Sequence, residues 1–235
     1  MTDESRPFLD HLDELRRRLG IVFLAVAIFF FVGYYYVDSI IHYLSRPAGT
    51  FIFMKPTEAF FIRLKIALIV GVLLSIPVVI YQVWRFVAVA LTPSEKKTVL
   101  WMMPFSYLLF CAGAAIAWFI VLPTAVRFLL GFSTQDLRPM LSIEAYVEFA
   151  AWFTAAFGLA FQLPIIVFFL VKIGVATPQS LCRYRRHVIL GLAIVAAVLT
   201  PGPDLFSQLA LLVPTYLLYE ISILMARFTV KQAAQ

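Results

Sequence analysis

Residues Phe8 to Val37 read FLDHLDELRRRL and then GIVFLAVAIFFFVGYYYV, a charged opening that runs without a break into an apolar stretch. Phe8, Leu12, Leu15 and Leu19 recur at helical spacing and share one face, while His11, Glu14, Arg17 and Arg18 fall elsewhere. Pro7 suits the first turn. Asp10 and Asp13 favour the N-terminal end of such a helix, and Arg16 to Arg18 the end where the macrodipole favours cations. The spacing therefore predicts an amphipathic surface helix, and at the least a basic anchor that fixes orientation. From Leu19 to Val37 there is no charge over nineteen residues. That is about 28 Å of helix against a hydrocarbon core of about 30 Å.

The rest of the chain has the same character. It is 63% hydrophobic and 14% charged, against roughly 25% charged in a soluble domain, which makes it an all-α polytopic membrane protein forming one membrane domain, residues 1–235. The net charge of +6 comes from Lys and Arg clustered between apolar runs. No continuous basic stripe forms, so anionic lipid and not nucleic acid accounts for the excess. Cys111 lies in an apolar run and Cys182 in a basic loop, which predicts no disulfide and no metal site. The first span is expected to be a retained anchor, since no small-residue cleavage site follows it.

Six spans follow from the apolar runs, at about 19–37, 66–84, 99–122, 149–171, 188–199 and 205–219. External loops are expected over 38–65 and 123–148, the first with short helical pieces. Pro77 predicts a kink in the second span, and Pro123 closes the third. Thr92-Pro93-Ser94-Glu95 reads as a capping box that starts the third helix, and Thr177-Pro178 as another helix start. Gln162 and Pro164 stand in the otherwise apolar fourth run, and a side-chain amide at that depth needs protein or water beside it. The last two runs are short of the core thickness and are turned by Pro201-Gly202-Pro203.

Catalysis is not indicated, since HExxH, GxSxG and Gly-rich phosphate loops are all missing and the three histidines are scattered. Glu220 reads as a snorkelling or paired structural carboxylate, and Asp204 can serve as a helix cap. A small ion-coupled secondary transporter is the alternative from a different class. It would need broken helices in matching halves and buried ionisable groups near the midplane, where this chain offers Gln162 alone.

The residues that stand out carry a resemblance. His11 to Leu19, HLDELRRRL, resembles the opening motif of the TatC family, the multispanning receptor subunits of the twin-arginine protein translocase. PVVIYQVWRF at Pro77 to Phe86, Glu95-Lys96-Lys97, Pro203-Asp204 with Ser207-Gln208, and Pro214 through Leu218-Tyr219-Glu220-Ile221 resemble that family in the same order. The resemblance implies a receptor and scaffold, not an enzyme, needing no cofactor. It would bind twin-arginine signal peptides of folded precursors at the cytoplasmic face and assemble with single-span TatA/TatB-type subunits. Self-association in the complex, export driven by proton-motive force, and a place in the cell inner membrane are implied too. By position it makes Glu14 and Glu95 the signal-peptide carboxylates, with Arg16 and Phe86 beside them. Pro47, Asp204 and Gln208 match outer-side positions for partner or translocation contacts, and Gln162 stands where some members carry glutamate.

Orientation follows from charge. Thirteen Lys and Arg lie in the N-terminus, the 85–97 and 172–186 loops and the C-terminus, against six in the two long loops between. With six spans, both termini are expected to be cytoplasmic. In a cysteine-free background, single cysteines at Thr2, Ser94 and Ser180 should therefore react with an impermeant thiol reagent only from the cytoplasmic side. Those at Thr50 and Gln135 should react only from outside, and labelling of Ser94 and Thr50 from one side would sink the six-span topology.

Overall fold

The computed structural model describes residues 5–48, 57–89, 91–131, 142–199 and 205–233. Every regular element among them is helical: α1 (Ser5–Tyr35), α2 (Val37–Ala48), α3 (Glu58–Val89), α4 (Pro93–Ile116), a π-helical turn (Ala117–Val121), α5 (Leu122–Leu130), α6 (Ile143–Ala160), α7 (Leu163–Lys172), α8 (Pro178–Arg183), α9 (Arg185–Leu199) and α10 (Leu205–Ala233). Among the described residues, five stretches are long and apolar enough to cross a membrane: Leu12–Tyr35, Glu58–Val89, Glu95–Phe128, Ile143–Lys172 and Ser207–Arg227. The fifth of the six expected spans is α9, whose fifteen residues reach only about 22 Å.

The charged opening and the first apolar run form one continuous helix, as their spacing predicts. Several boundaries differ, for a common reason: hydropathy marks where a helix meets lipid, whereas backbone hydrogen bonding continues through good helix formers beyond it. Residues 58–65, expected in the first external loop, are the opening turns of α3. Pro123 does not close the third span. A π turn precedes it, in which the Leu122 amide donates to Ala117 O, and helix continues to Leu130. The wider turn accommodates a residue that lacks a donor. The fourth span is interrupted at Phe161 and Gln162, and Pro164 sits in the first turn of α7, where its missing N–H has no intrahelical partner to lose. The sixth helix does not stop near Tyr219 but runs to Ala233, with Pro214 inside it. The Pro201-Gly202-Pro203 turn and Asp204 lie outside the described residues.

The chain forms two compact units. The first contains α1, α2 to Arg46, α3, and α4 as far as Tyr107. In it α1 and α3 run antiparallel and close together. A Cβ on Gly33 would lie 2.7 Å from Ala67 O, and one on Gly71 would lie 2.9 Å from the Phe30 backbone nitrogen. Small residues at these crossings let backbones meet where apolar side chains gain nothing by leaving lipid. Phe23 and Phe31 point away from the pair and are exposed, as lipid-facing side chains should be. Past the apolar stretch, Arg63 on α3 pairs with Asp38 on α2 at 2.8 Å.

The second unit holds the chain from Leu108 onward. Its core gathers Ala117, Phe153, Ala156, Phe157, Ala196 and Leu211, and a second cluster joins Val167, Tyr219 and Ile223. Here too glycine sets the approach, since a Cβ on Gly158 would stand 2.5 Å from the Phe110 ring. After α7, Gly174 takes φ +79°, and the amides of Val175 and Ala176 fold back onto Leu170 O at 3.0 and 3.1 Å.

Gly33→Ala should thus lower the melting temperature in detergent, since overpacking against a backbone carbonyl costs about 1–3 kcal/mol. Gly20, with nothing within 4 Å, is the control: Gly20→Ala should be neutral or stabilising, alanine being the better helix former by about 1 kcal/mol. Equal responses at both positions would show that the α1–α3 approach is not tight.

Candidate functional site

In the first unit, the end of α1 before its apolar run carries the polar cluster. Because α1 is unbroken, Glu14 and Arg18 lie one turn apart, and Arg18 Nη2 pairs with Glu14 Oε1. Arg18 is buried, only 7% exposed, and its Nη1 donates to Gln82 Oε1 on α3 at 3.1 Å. Gln82 is buried as well. The Arg18 Nε is buried without a partner among the described residues. Glu14 is partly exposed at the edge of this cluster, and Arg16 is exposed on the same helix. Phe86, half-buried, follows Gln82 by one turn of α3.

Glu95 lies in the same unit, in the first turn of α4. Its Oε2 accepts from the Thr92 amide at 2.8 Å and from the Thr92 hydroxyl at 2.7 Å, the glutamate arm of the capping box read from the sequence. Thr92 O in turn accepts from the Lys96 amide at 3.0 Å. Both acidic candidates are therefore fixed by a neighbour in their own helix turn, Glu14 by Arg18 and Glu95 by Thr92. For each, one carboxylate oxygen has no partner among the described residues.

The remaining candidates lie apart from this cluster in the chain. Gln162 is half-buried at the α6–α7 break, where its carbonyl accepts from the Ile166 amide at 3.0 Å. Gln208 on α10 donates from Nε2 to Ala193 O on α9 at 3.2 Å, tying the last two helices together. Pro47 falls within α2, and Asp204 lies outside the described residues. Glu220 is a paired structural carboxylate, the second of the two roles its position allows. Arg185 Nη2 donates to its Oε2 at 2.6 Å and the Tyr216 hydroxyl to its Oε1 at 2.7 Å.

Sequence reasoning passed over Arg18 and Gln82 as site residues. A signal for each existed: Arg18 follows Glu14 at a spacing of four, and Gln82 is a side-chain amide near the end of an apolar run. Their meeting depends on the antiparallel pairing of α1 with α3, across a separation of 64 residues, which no local pattern encodes.

The fold and these clusters define a six-span, all-helical membrane protein whose polar groups gather toward helix ends. Residues 10–214 match the family model described as Sec-independent protein translocase protein (TatC). The chain belongs to the TatC family: it is a multi-pass membrane protein and the core receptor subunit of the Sec-independent, twin-arginine translocase, not an enzyme. Among its relatives, the TatC protein of Carboxydothermus hydrogenoformans is 40% identical over 97% of this chain and 96% of its own length. That of Escherichia coli K12 is 35% identical over 97% of this chain and 91% of its own. A crystal structure of a twin arginine translocase receptor, TatC, superposes with a TM-score of 0.84 at 38% identity, covering 94% of this chain and 99% of that one.

Thr92→Ala should loosen the start of α4 by about 1 kcal/mol, seen as faster amide hydrogen exchange over residues 94–97, while Thr92→Ser should not. Unchanged exchange in the alanine variant would mean that the Glu95–Thr92 contact does not hold this helix start.

Proposed function

We propose that the chain binds twin-arginine signal peptides of folded precursor proteins through Glu14 and Glu95, with Arg16 and Phe86 beside them. The observation that carries this reading is that both carboxylates are held in place through one oxygen and present the other, in stretches flanking apolar runs and not inside them. A guanidinium offers a planar fork of donors to a fixed carboxylate, which an ammonium cannot match. The close structural likeness to a twin arginine translocase receptor supports the same reading.

The peptide site is cytoplasmic, with both termini on that side of the cell inner membrane; the excess of Lys and Arg in the corresponding loops supports this orientation. Single-span TatA/TatB-type subunits and further copies of the chain assemble against its helices, with proton-motive force driving passage. Pro47, Gln162, Asp204 and Gln208 are the proposed partner or translocation positions. For Gln162, its half-buried place at the break between α6 and α7, a polar residue in an otherwise apolar run, supports a contact with a partner helix.

The test is binding of a twin-arginine peptide to the purified protein. A charge-assisted hydrogen bond contributes roughly 1.5–3 kcal/mol, so Glu14→Gln and Glu95→Gln should each weaken binding about tenfold or more. Glutamine keeps helix propensity at position 14 and can still serve the cap at position 95, so loss of binding reports the charge. Undiminished binding in the double variant would reject the site and leave the opening helix as an anchor.

A further inference from the structure

We infer that Arg18 sets the arginine preference of this site, acting as an internal guanidinium that occupies one oxygen of Glu14 and is itself held by Gln82. The inference rests on the reading of Glu14 as a signal-peptide carboxylate. Arg18 is nine-tenths buried, and its donors meet one carboxylate oxygen and one amide oxygen, with Nε left unpartnered among the described residues. A guanidinium has five N–H donors, and a buried one ordinarily satisfies more of them. The arrangement is thus poorly explained as packing alone, because leaving part of a buried cation unpaired costs stability.

The consequence falls on Glu14. Its charge is already compensated by Arg18, so an arriving cation meets an ion pair and gains little from net attraction. What remains is Oε2, an acceptor with a fixed direction. An arginine can engage it with one prong of its fork while the other prongs reach further acceptors in the same plane. A lysine ammonium is a compact, strongly hydrated charge whose gain comes mainly from the attraction that Arg18 has cancelled. Arg18 therefore acts as a discriminating element by lowering the affinity of the wrong cation more than that of the right one. Gln82 is a positioning residue that fixes Arg18 Nη1, so that Nη2 stays on Glu14 Oε1 and not across both oxygens.

The measurement is the ratio of affinities for a twin-arginine peptide and its twin-lysine variant, on the full-length protein in detergent. Arg18→Gln should expose the full Glu14 charge and strengthen twin-lysine binding most, lowering the ratio by about threefold or more. Arg18→Lys, which still neutralises Glu14, should keep the ratio within about twofold of the parent, a rescue that a purely structural guanidinium would not predict. An unchanged ratio in Arg18→Gln overturns the inference. If Glu14→Gln still weakens peptide binding about tenfold or more in that case, the signal-peptide reading stands without it. Undiminished binding in Glu14→Gln overturns both. Should Arg18→Gln fail to fold, Gln82→Glu decides: nearly the same in volume, it offers Arg18 a rival carboxylate and should lower the ratio, and an unchanged ratio there also overturns the inference.

Discussion

The close antiparallel crossing of α1 and α3 organises the first unit. Gly33 faces Ala67 and Gly71 faces Phe30 at distances that admit no Cβ. In lipid there is no hydrophobic gain in bringing two apolar helices together, so van der Waals contact between close backbones must supply the attraction. Once the pair is locked at these points, its register is set along its whole length. Arg63 then meets Asp38 at one end and Arg18 meets Gln82 at the other. Each polar contact is a result of the apolar crossing between them.

The second unit uses the same means with a different outcome. Glycine again permits close approach, of Gly158 to Phe110 and of Gly113 to the Phe157 carbonyl, but here the helices are interrupted. A π turn comes before Pro123, and α6 gives way to α7 at Gln162. Such interruptions release backbone groups that need new partners, and within a membrane these must come from protein or water. Thr124 answers part of that need by donating its hydroxyl to Ile120 O at 2.7 Å. Polar side chains of this unit find partners within the protein, with one another in Arg185–Glu220–Tyr216 and with a backbone carbonyl where Gln208 donates to Ala193 O.

At the candidate site, the two local contacts were open to sequence reasoning because both are one-turn helical relations. Glu14 and Arg18 stand four residues apart, and Thr92 and Glu95 three. Either could equally have been a purely structural pair, and the geometry shows that the pairs exist without making them exclusive of a ligand. Each uses one carboxylate oxygen. The contribution of Gln82 was not open to such reasoning, although the residue lies inside the Pro77 to Phe86 motif.

Local pattern was enough to establish that the chain is a bundle of membrane spans, that α4 starts at the Thr92 cap, and that the fifth span is too short, whereas the sixth, expected to be short as well, is long enough to cross over Ser207–Arg227. These follow from apolar run length and from capping residues, which act over a few neighbours. The family was legible too, through motifs spread along nearly the whole chain. Helix ends were placed less well, as at Tyr219 and Pro123, because helical hydrogen bonding outlasts hydropathy and a π turn can absorb a proline. It took the packing of helix on helix to bury Arg18 against Gln82 and to hold Glu220 by Arg185, at 64 and 35 residues' separation. Such contacts are fixed by which helix faces meet, and in lipid that choice rests on a few small residues at a crossing, not on any pattern repeated along the chain.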